Sequence, residues 1–269
     1  MNKLISTPFG AWIFIFILAP LLTIFYYGFT DKTGAFTFDN VIAITTVEHS
    51  KALWLALGLS LISTLICFLL AYPLAYFLSQ MNMNSSGYII FIFVLPMWMN
   101  FLLRTLAWQT LIEKTGVINA VLTAVNLPNI NIINTYYAIV LGMVYNFLPF
   151  MVLPLYNSIA KIDPNVVNAA RDLGANSVQT FRRVIFPLSI PGIVSGITMV
   201  FIPSLTTFVI SKILGGSKIL LIGNIIEQEF TVSSNWHLGA GLSIVLMLFV
   251  IINMVITSFF EKDEEVNKL

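Results

Sequence analysis

Charge is what this sequence has least of. Lys, Arg, Asp and Glu make up 9% of its 269 residues, while 58% are hydrophobic. Soluble domains average about 25% charged residues, so this chain lacks the polar groups to cover a surface in water. Mean hydropathy of +0.92 makes lipid the solvent that fits. A formal net charge of +1 supplies no basic field for nucleic acid. The one cysteine, Cys67, excludes an intrachain disulfide and a cysteine-built metal site. The two histidines, His49 and His237, stand alone, without metal-ligand spacing. No Walker A loop is present: Gly215-Gly216-Ser217-Lys218 lacks the glycine spacing that cradles phosphate. No nucleophile–base constellation is visible, so the chain reads as a non-enzyme.

What is present is long apolar runs. A span needs about 20 mostly apolar residues, and six are expected at Ala11–Phe29, Trp54–Leu78, Tyr88–Ile112, Tyr136–Asn157, Leu188–Ser211 and Gly239–Phe260. The first is too long for a signal-peptide core and has no small-residue cleavage pattern after it, so it reads as a retained span. Trp12, Tyr26, Tyr27, Trp54, Tyr76, Tyr88, Trp108, Tyr136 and Tyr137 stand near span ends, as in an interfacial belt. Prolines fall inside several spans, where a bundle re-satisfies the freed carbonyls. The expected fold is all-α, a helical membrane bundle. Residues 1–50 hold the first span and an external loop, 51–260 the core, and 261–269 a tail.

Six spans put both termini on one side. Lys161, Arg171, Arg182 and Arg183 lie between the fourth and fifth spans, with Lys3, Lys262 and Lys268 at the termini. The other side carries Lys32, Lys51, Lys114, Lys212 and Lys218. The positive bias assigns the 158–187 loop and both termini to the cytoplasm.

That loop reads as folded. Asp163 then Pro164 is a helix start, an N-cap oxygen followed by the residue whose missing N–H costs nothing there. Val166, Ala169, Ala170 and Leu173 recur at helical spacing. Gly174 suits a left-handed end. A second helix is expected from Asn176 or Ser177 to Phe186, broken by Pro187. Such a short amphipathic helix suits either a groove in a soluble partner or the lipid surface.

A resemblance separates these readings. Asn168-Ala169-Ala170-Arg171-Asp172-Leu173-Gly174, nine residues, then Val184-Ile185-Phe186-Pro187 resembles the coupling-loop motif of ABC importer permeases. That motif reads Glu-Ala-Ala, three residues, Gly, nine residues, Ile-x-Leu-Pro. Asn168, Val184 and Phe186 depart from it, and only Asn168 removes a charge. Leu95–Arg104, Leu148–Tyr156, Leu214–Lys218 and Leu221–Asn224 resemble segments of the spermidine/putrescine branch, in the first of its two permeases. The similarity covers nearly the whole chain. It implies the type I importer fold and a polyamine cargo moved by alternating access. It implies as partners a second permease, two ATPase subunits that bind ATP and Mg²⁺, and an external binding protein. On this resemblance Asp163, Pro164, Asn168, Ala169, Ala170, Arg171, Asp172, Gly174 and Pro187 form the ATPase-coupling segment.

The expected spans contain no Asp or Glu. A bare polycation in low dielectric is costly, so this chain offers its cargo no intramembrane counter-ion. Glu227 and Glu229 are candidates for the outer mouth or solvated loop charges. Trp98 and Trp108 are candidate aromatic walls or interfacial anchors. Asn100, Tyr145, Asn146, Thr206 and Thr207 are candidate polar contacts on the route or bonds between helices. Arg104, ionisable within a span, would repel the cargo, and is expected to meet a structural partner or snorkel toward Gln109 and Glu113. The rival readings are a permease for another solute, a secondary transporter or channel without an ATPase, and a structural scaffold.

Overall fold

The computed structural model describes residues 10–81, 88, 91–92 and 94–266. Lys3, the 267–269 end and the side chains of the tail, Lys262 and Lys268 among them, lie outside the described residues. Four helices are long and apolar enough to cross a membrane: α1 (Gly10–Gly28), α2 (Val47–Ser79), α5 (Tyr136–Ile159) and the first part of α11 (Trp236–Val266). A bent pair, α7 (Ser177–Leu188) and α8 (Ile190–Thr206), turns through 61° and adds a fifth crossing. Between these lie α3 (Phe101–Ile112), α4 (Val117–Ala124), α6 (Pro164–Asp172), α9 (Val209–Leu214) and α10 (Ile222–Thr231).

Two expected spans are interrupted. Over 88–112 the chain makes a tight turn at Leu95–Trp98, where Pro96 has no N–H to extend a helix, and becomes extended at Met99 (ψ 148°). Asn100 then restarts the helix by accepting from the N–H groups of Leu102 (2.9 Å) and Leu103 (3.3 Å). The resulting α3 has 12 residues, about 18 Å at 1.5 Å per residue, too short to span alone. The fifth expected span stops at Thr206, is extended at Thr207 (ψ 137°), and resumes as α9. Of the six expected spans, the described residues give four as helices long enough to cross, one as a bent pair and one as an interrupted segment.

Proline shapes the remaining helices through one device used twice. The turns Phe14–Leu18 and Phe181–Ile185 are widened, with Ala19 N–H donating to Phe14 O and Phe186 N–H to Phe181 O. Each ends just before a proline, Pro20 or Pro187, so a residue is absorbed where the regular ladder lacks a donor. The helix therefore continues through Pro187 rather than breaking there. It turns at Ser189, between Pro187 and Pro191.

The chain divides into two compact units, residues 1–55 with 221–252, and 56–220 with 253–269. In the first, the loop after α1 is built on Asp31, whose Oδ1 accepts from Thr33 N (2.8 Å), Thr33 Oγ1 (2.6 Å) and Ala35 N (2.9 Å). Asn40 Nδ2 donates to Thr30 O at 2.9 Å, and His237 Nδ1 lies 2.6 Å from the same oxygen. In the second, α5 and α8 pack most intimately. A Cβ on Gly192 would stand 2.5 Å from Ser158 Cβ, and one on Gly196 would stand 2.6 Å from Met151 Sδ. These glycines are four apart on one face, the small-xxx-small spacing that lets membrane helices approach.

Candidate functional site

The 158–187 loop folds as its residues dictate. Asp163 Oδ1 accepts from Asn165 N at 2.9 Å, capping α6, and Pro164 occupies its first turn. At the other end Ala175 N donates to Ala170 O (3.1 Å) and Gly174 N to Arg171 O (2.9 Å). Gly174 has φ +86°, a left-handed conformation that favours glycine. Together these bonds make the reciprocal C-terminal cap known as the Schellman motif. Two residues on, Asn176 and Gln179 bond each other's backbones at 2.9 and 3.0 Å, a capping box that starts α7. Both ends of α6 are thus fixed by local bonds.

The two flanks of α6 differ. Val166 is 46% exposed and Leu173 89% exposed, with Ala169 between them, so an apolar strip points away from the chain. Ala170, expected on that strip, turns inward and is half-buried with Val167. A hundred degrees of rotation per residue places it on the inner flank beside Val167, its neighbour at i−3. Beneath this flank lies a groove of about 260 Å³ lined by the ends of α2 (Ser79, Gln80) and α5 (Ile159, Ala160), with Asn168 and Arg171 contributed by α6. Asp172 is exposed at the last turn.

The loop is tied to the spans behind it by aromatic rings. Phe181 packs edge-on against Tyr72 (5.6 Å) and Tyr76 (5.7 Å), both on α2, and Phe186 lies 5.9 Å from Tyr72. The Tyr72 hydroxyl is 2.8 Å from Ser189 Oγ, at the bend between α7 and α8. Packed and hydrogen-bonded side chains thus join α7 and its bend with α8 to α2.

The candidate route residues separate. Trp108 and Tyr145 meet edge-on at 5.2 Å. Asn146 is 1% exposed, donates to Gly142 O at 2.8 Å, and leaves Oδ1 without a partner. Trp98 is 74% exposed and stacks on Phe91 at its edge. The Asn100 side chain caps α3 through its Oδ1. Thr206 bonds its own helix at Ile202 O, and Thr207 marks the break. Glu227 and Glu229 lie on α10, in the other compact unit, half-buried and reached by the hydroxyls of Thr231 and Ser233.

Arg104 departs from expectation. It is 7% exposed, and its Nε and Nη1 are enclosed without any hydrogen-bond partner. It neither snorkels nor pairs with Glu113. The sequence reading also missed the Gly192–Gly196 spacing and Ser204, which is fully buried with an unpartnered hydroxyl. The glycine spacing was visible in the sequence; the orphaned hydroxyl was not. Among the described residues no group of three or more His, Cys, Asp or Glu is placed to hold a metal ion.

A family profile described as "Binding-protein-dependent transport system inner membrane component" matches residues 4–263. The spermidine/putrescine transport system permease protein PotB of Haemophilus influenzae is 35% identical over 266 residues, covering 96% of this chain and 92% of that protein. The PotB of Salmonella typhimurium is 36% identical over 276 residues, covering 99% and 95%. Among solved structures, a bacterial ABC transporter involved in the import of the acidic polysaccharide alginate superimposes with a TM-score of 0.82 at 17% identity, covering 96% of this chain and 94% of that one. The MetNI methionine ABC transporter in inward-facing form gives 0.57 over 80% of this chain and 94% of that one, also at 17% identity. At that identity the structures speak for the fold alone.

Proposed function

We infer the role of this chain from its family: it belongs to the binding-protein-dependent transport system inner membrane components, the permeases of ABC importers. It is the permease subunit of a spermidine/putrescine importer, as its likeness to PotB proteins over nearly its whole length supports. The observation that carries the mechanism is the exposed strip of Val166, Ala169 and Leu173 on a helix capped at both ends. A solvent-facing apolar strip on a rigid helix is a surface built to be covered.

The chain carries no phosphate-binding loop, so the work comes from elsewhere. A separate ATPase binds ATP and Mg²⁺ and grips α6, with Leu173 as the protruding contact. Asp163, Pro164 and Gly174 set the length of the helix, and Asn168, Arg171 and Asp172 flank the grip. When the two ATPases close, α6 moves, Phe181 and Phe186 carry the motion to α2, and Ser189 carries it to α8. The bundle alternates between outward- and inward-facing forms. A second permease completes the pathway, and an external binding protein delivers the polyamine. The 158–187 loop and both termini face the cytoplasm.

The cargo carries two or more positive charges, and no carboxylate of this chain lies inside the spans expected from its sequence. Glu227 and Glu229 attract it at the outer mouth. Trp98, Trp108 and Tyr145 offer π faces, each worth about 0.5–2 kcal/mol to an ammonium group. Contacts of this strength suit a route that must release what it admits. The test is uptake by proteoliposomes containing both permeases and the ATPase, supplied with the binding protein and ATP. Spermidine or putrescine should accumulate and alginate fragments should not. Uptake by this chain without the ATPase would overturn the reading.

A further inference from the structure

The bend between α7 and α8 is where the backbone ladder is weakest. Pro187 and Pro191 flank it, and neither has an N–H to donate. The carbonyls of Arg183 and Pro187, four residues earlier, therefore lack their regular donors. The chain turns through 61° at this point. Proline-broken joints are where helices kink, and a loose joint here would absorb a movement of the 158–187 loop before it reached α8.

Side-chain bonds fill the gap. Ser189 N donates to Ile185 O at 3.0 Å and to Phe186 O at 3.1 Å, and Ser189 Oγ lies 2.8 Å from Phe186 O. A carbonyl only accepts, so the serine hydroxyl commits its one proton to Phe186. Ser189 Oγ is then the acceptor in its 2.8 Å contact with the Tyr72 hydroxyl, and Tyr72 is the donor. A relay thus runs from the Tyr72 hydroxyl on α2, through the Ser189 hydroxyl, to Phe186 O. Ser189 is fully buried and Tyr72 is 7% exposed, so water has little access to these bonds. Hydrogen bonds in such a chain strengthen one another. The tyrosine ring is itself fixed, edge-on to Phe68 on its own helix and to Phe181 on α7, each at 5.6 Å. Beyond the bend, Gly192 and Gly196 seat α8 directly on α5.

We propose that Tyr72 is a positioning residue whose hydroxyl braces this bend, so that α7 and α8 turn as one body with α2. The inference rests on the reading of the chain as a permease driven through α6. Side chains replace the backbone bonds that the two prolines remove, and the joint is stiff where its sequence alone makes it weak. Tyr72 acts through Ser189 and needs no contact with cargo or ATP.

The test is Tyr72→Phe, which keeps the ring and deletes only the hydroxyl. Spin labels at Val178→Cys on α7 and Met199→Cys on α8, both exposed positions, in a Cys67→Ser background, report the bend as a distance distribution in the assembled importer in nanodiscs. The parental distribution should be narrow and unchanged when ATP is added. Tyr72→Phe should broaden it, and uptake per ATP hydrolysed should fall about fivefold, the factor that one buried hydrogen bond gives. Ser189→Ala should broaden it at least as much, and adding Tyr72→Phe to that variant should change nothing more, since both remove one interaction. A tyrosine that merely supports the fold would lower the unfolding temperature and leave width and uptake per ATP alone. Parental width or parental uptake per ATP in Tyr72→Phe would overturn the proposal. So would a parental distribution that shifts with ATP, because the bend would then be a hinge. Uptake is read with whatever solute the parental importer carries, and the distances are also measured on the full chain without the ATPase. Failure of the ATPase to assemble would therefore refute the proposed function, while the width in Tyr72→Phe still decides the brace.

Discussion

Gly174 and Leu173 stand side by side and do opposite things. Gly174 takes φ +86° with open space around it. Its replacement by Ala costs about 1 kcal/mol through the left-handed backbone alone and should leave the ATPase bound. Gly174→Glu adds a bulky charge at the docking surface and should abolish co-purification of the ATPase while membrane insertion persists. Leu173, 89% exposed, bears no load in the isolated chain. Leu173→Asp should therefore leave thermal stability within about 0.5 kcal/mol of the parent and still prevent ATPase capture in a pull-down. Asp31 gives a prediction in pH. Its hydrogen bond from the Thr33 hydroxyl, then that from Ala35 N–H, hold its carboxyl below the usual carboxylate range. A depressed folded-state pKa stabilises the loop above the unfolded value and loses that support as pH falls through the folded one. Thr33→Val should raise the Asp31 pKa, measured by NMR titration of the carboxyl carbon. Much at this scale was legible in sequence: Asp163, Pro164 and Gly174 act through local backbone chemistry, which needs no knowledge of neighbours. Arg104 and Ser204 were not, because an unmet hydrogen bond is a property of what surrounds a residue.

At the scale of elements, hydropathy located the helices and missed their interruptions. The breaks at Met99–Asn100 and Thr207–Phe208 lie inside apolar runs, where a change of ψ leaves no trace in a hydropathy window. The cap at Asn100 is local backbone chemistry, but a long apolar stretch around it hides the helix start that it makes. The pairing of α5 with α8 depends on Gly196, where an added side chain meets Met151. Gly196→Leu should overpack that contact by about 1–3 kcal/mol, seen as a lower unfolding temperature in detergent. Phe181 tests the transmission. Phe181→Ala removes the ring between Tyr72 and Tyr76. ATP hydrolysis by the assembled importer should continue while uptake per ATP falls about tenfold, the factor that about 1.4 kcal/mol of lost coupling gives.

At the scale of the molecule, the division of labour follows from composition. The chain has 9% charged residues and no glycine-spaced phosphate loop, and its expected spans hold no Asp or Glu. On the proposed reading, other subunits meet both needs, the first through α6 and the second through the partner permease and the outer mouth. Glu227→Gln with Glu229→Gln should therefore raise the half-saturating polyamine concentration at low salt, leave assembly intact, and lose its effect at high ionic strength, where exposed charges are screened. The coupling surface tests the whole account most directly. Cys67 is the single cysteine and is buried, so Leu173→Cys in a Cys67→Ser background places one reactive thiol at the tip of α6. In the assembled importer it should crosslink to the ATPase, at a rate that changes when ATP is added. A thiol that reacts with an impermeant reagent from outside the cell, and never with the ATPase, would contradict it.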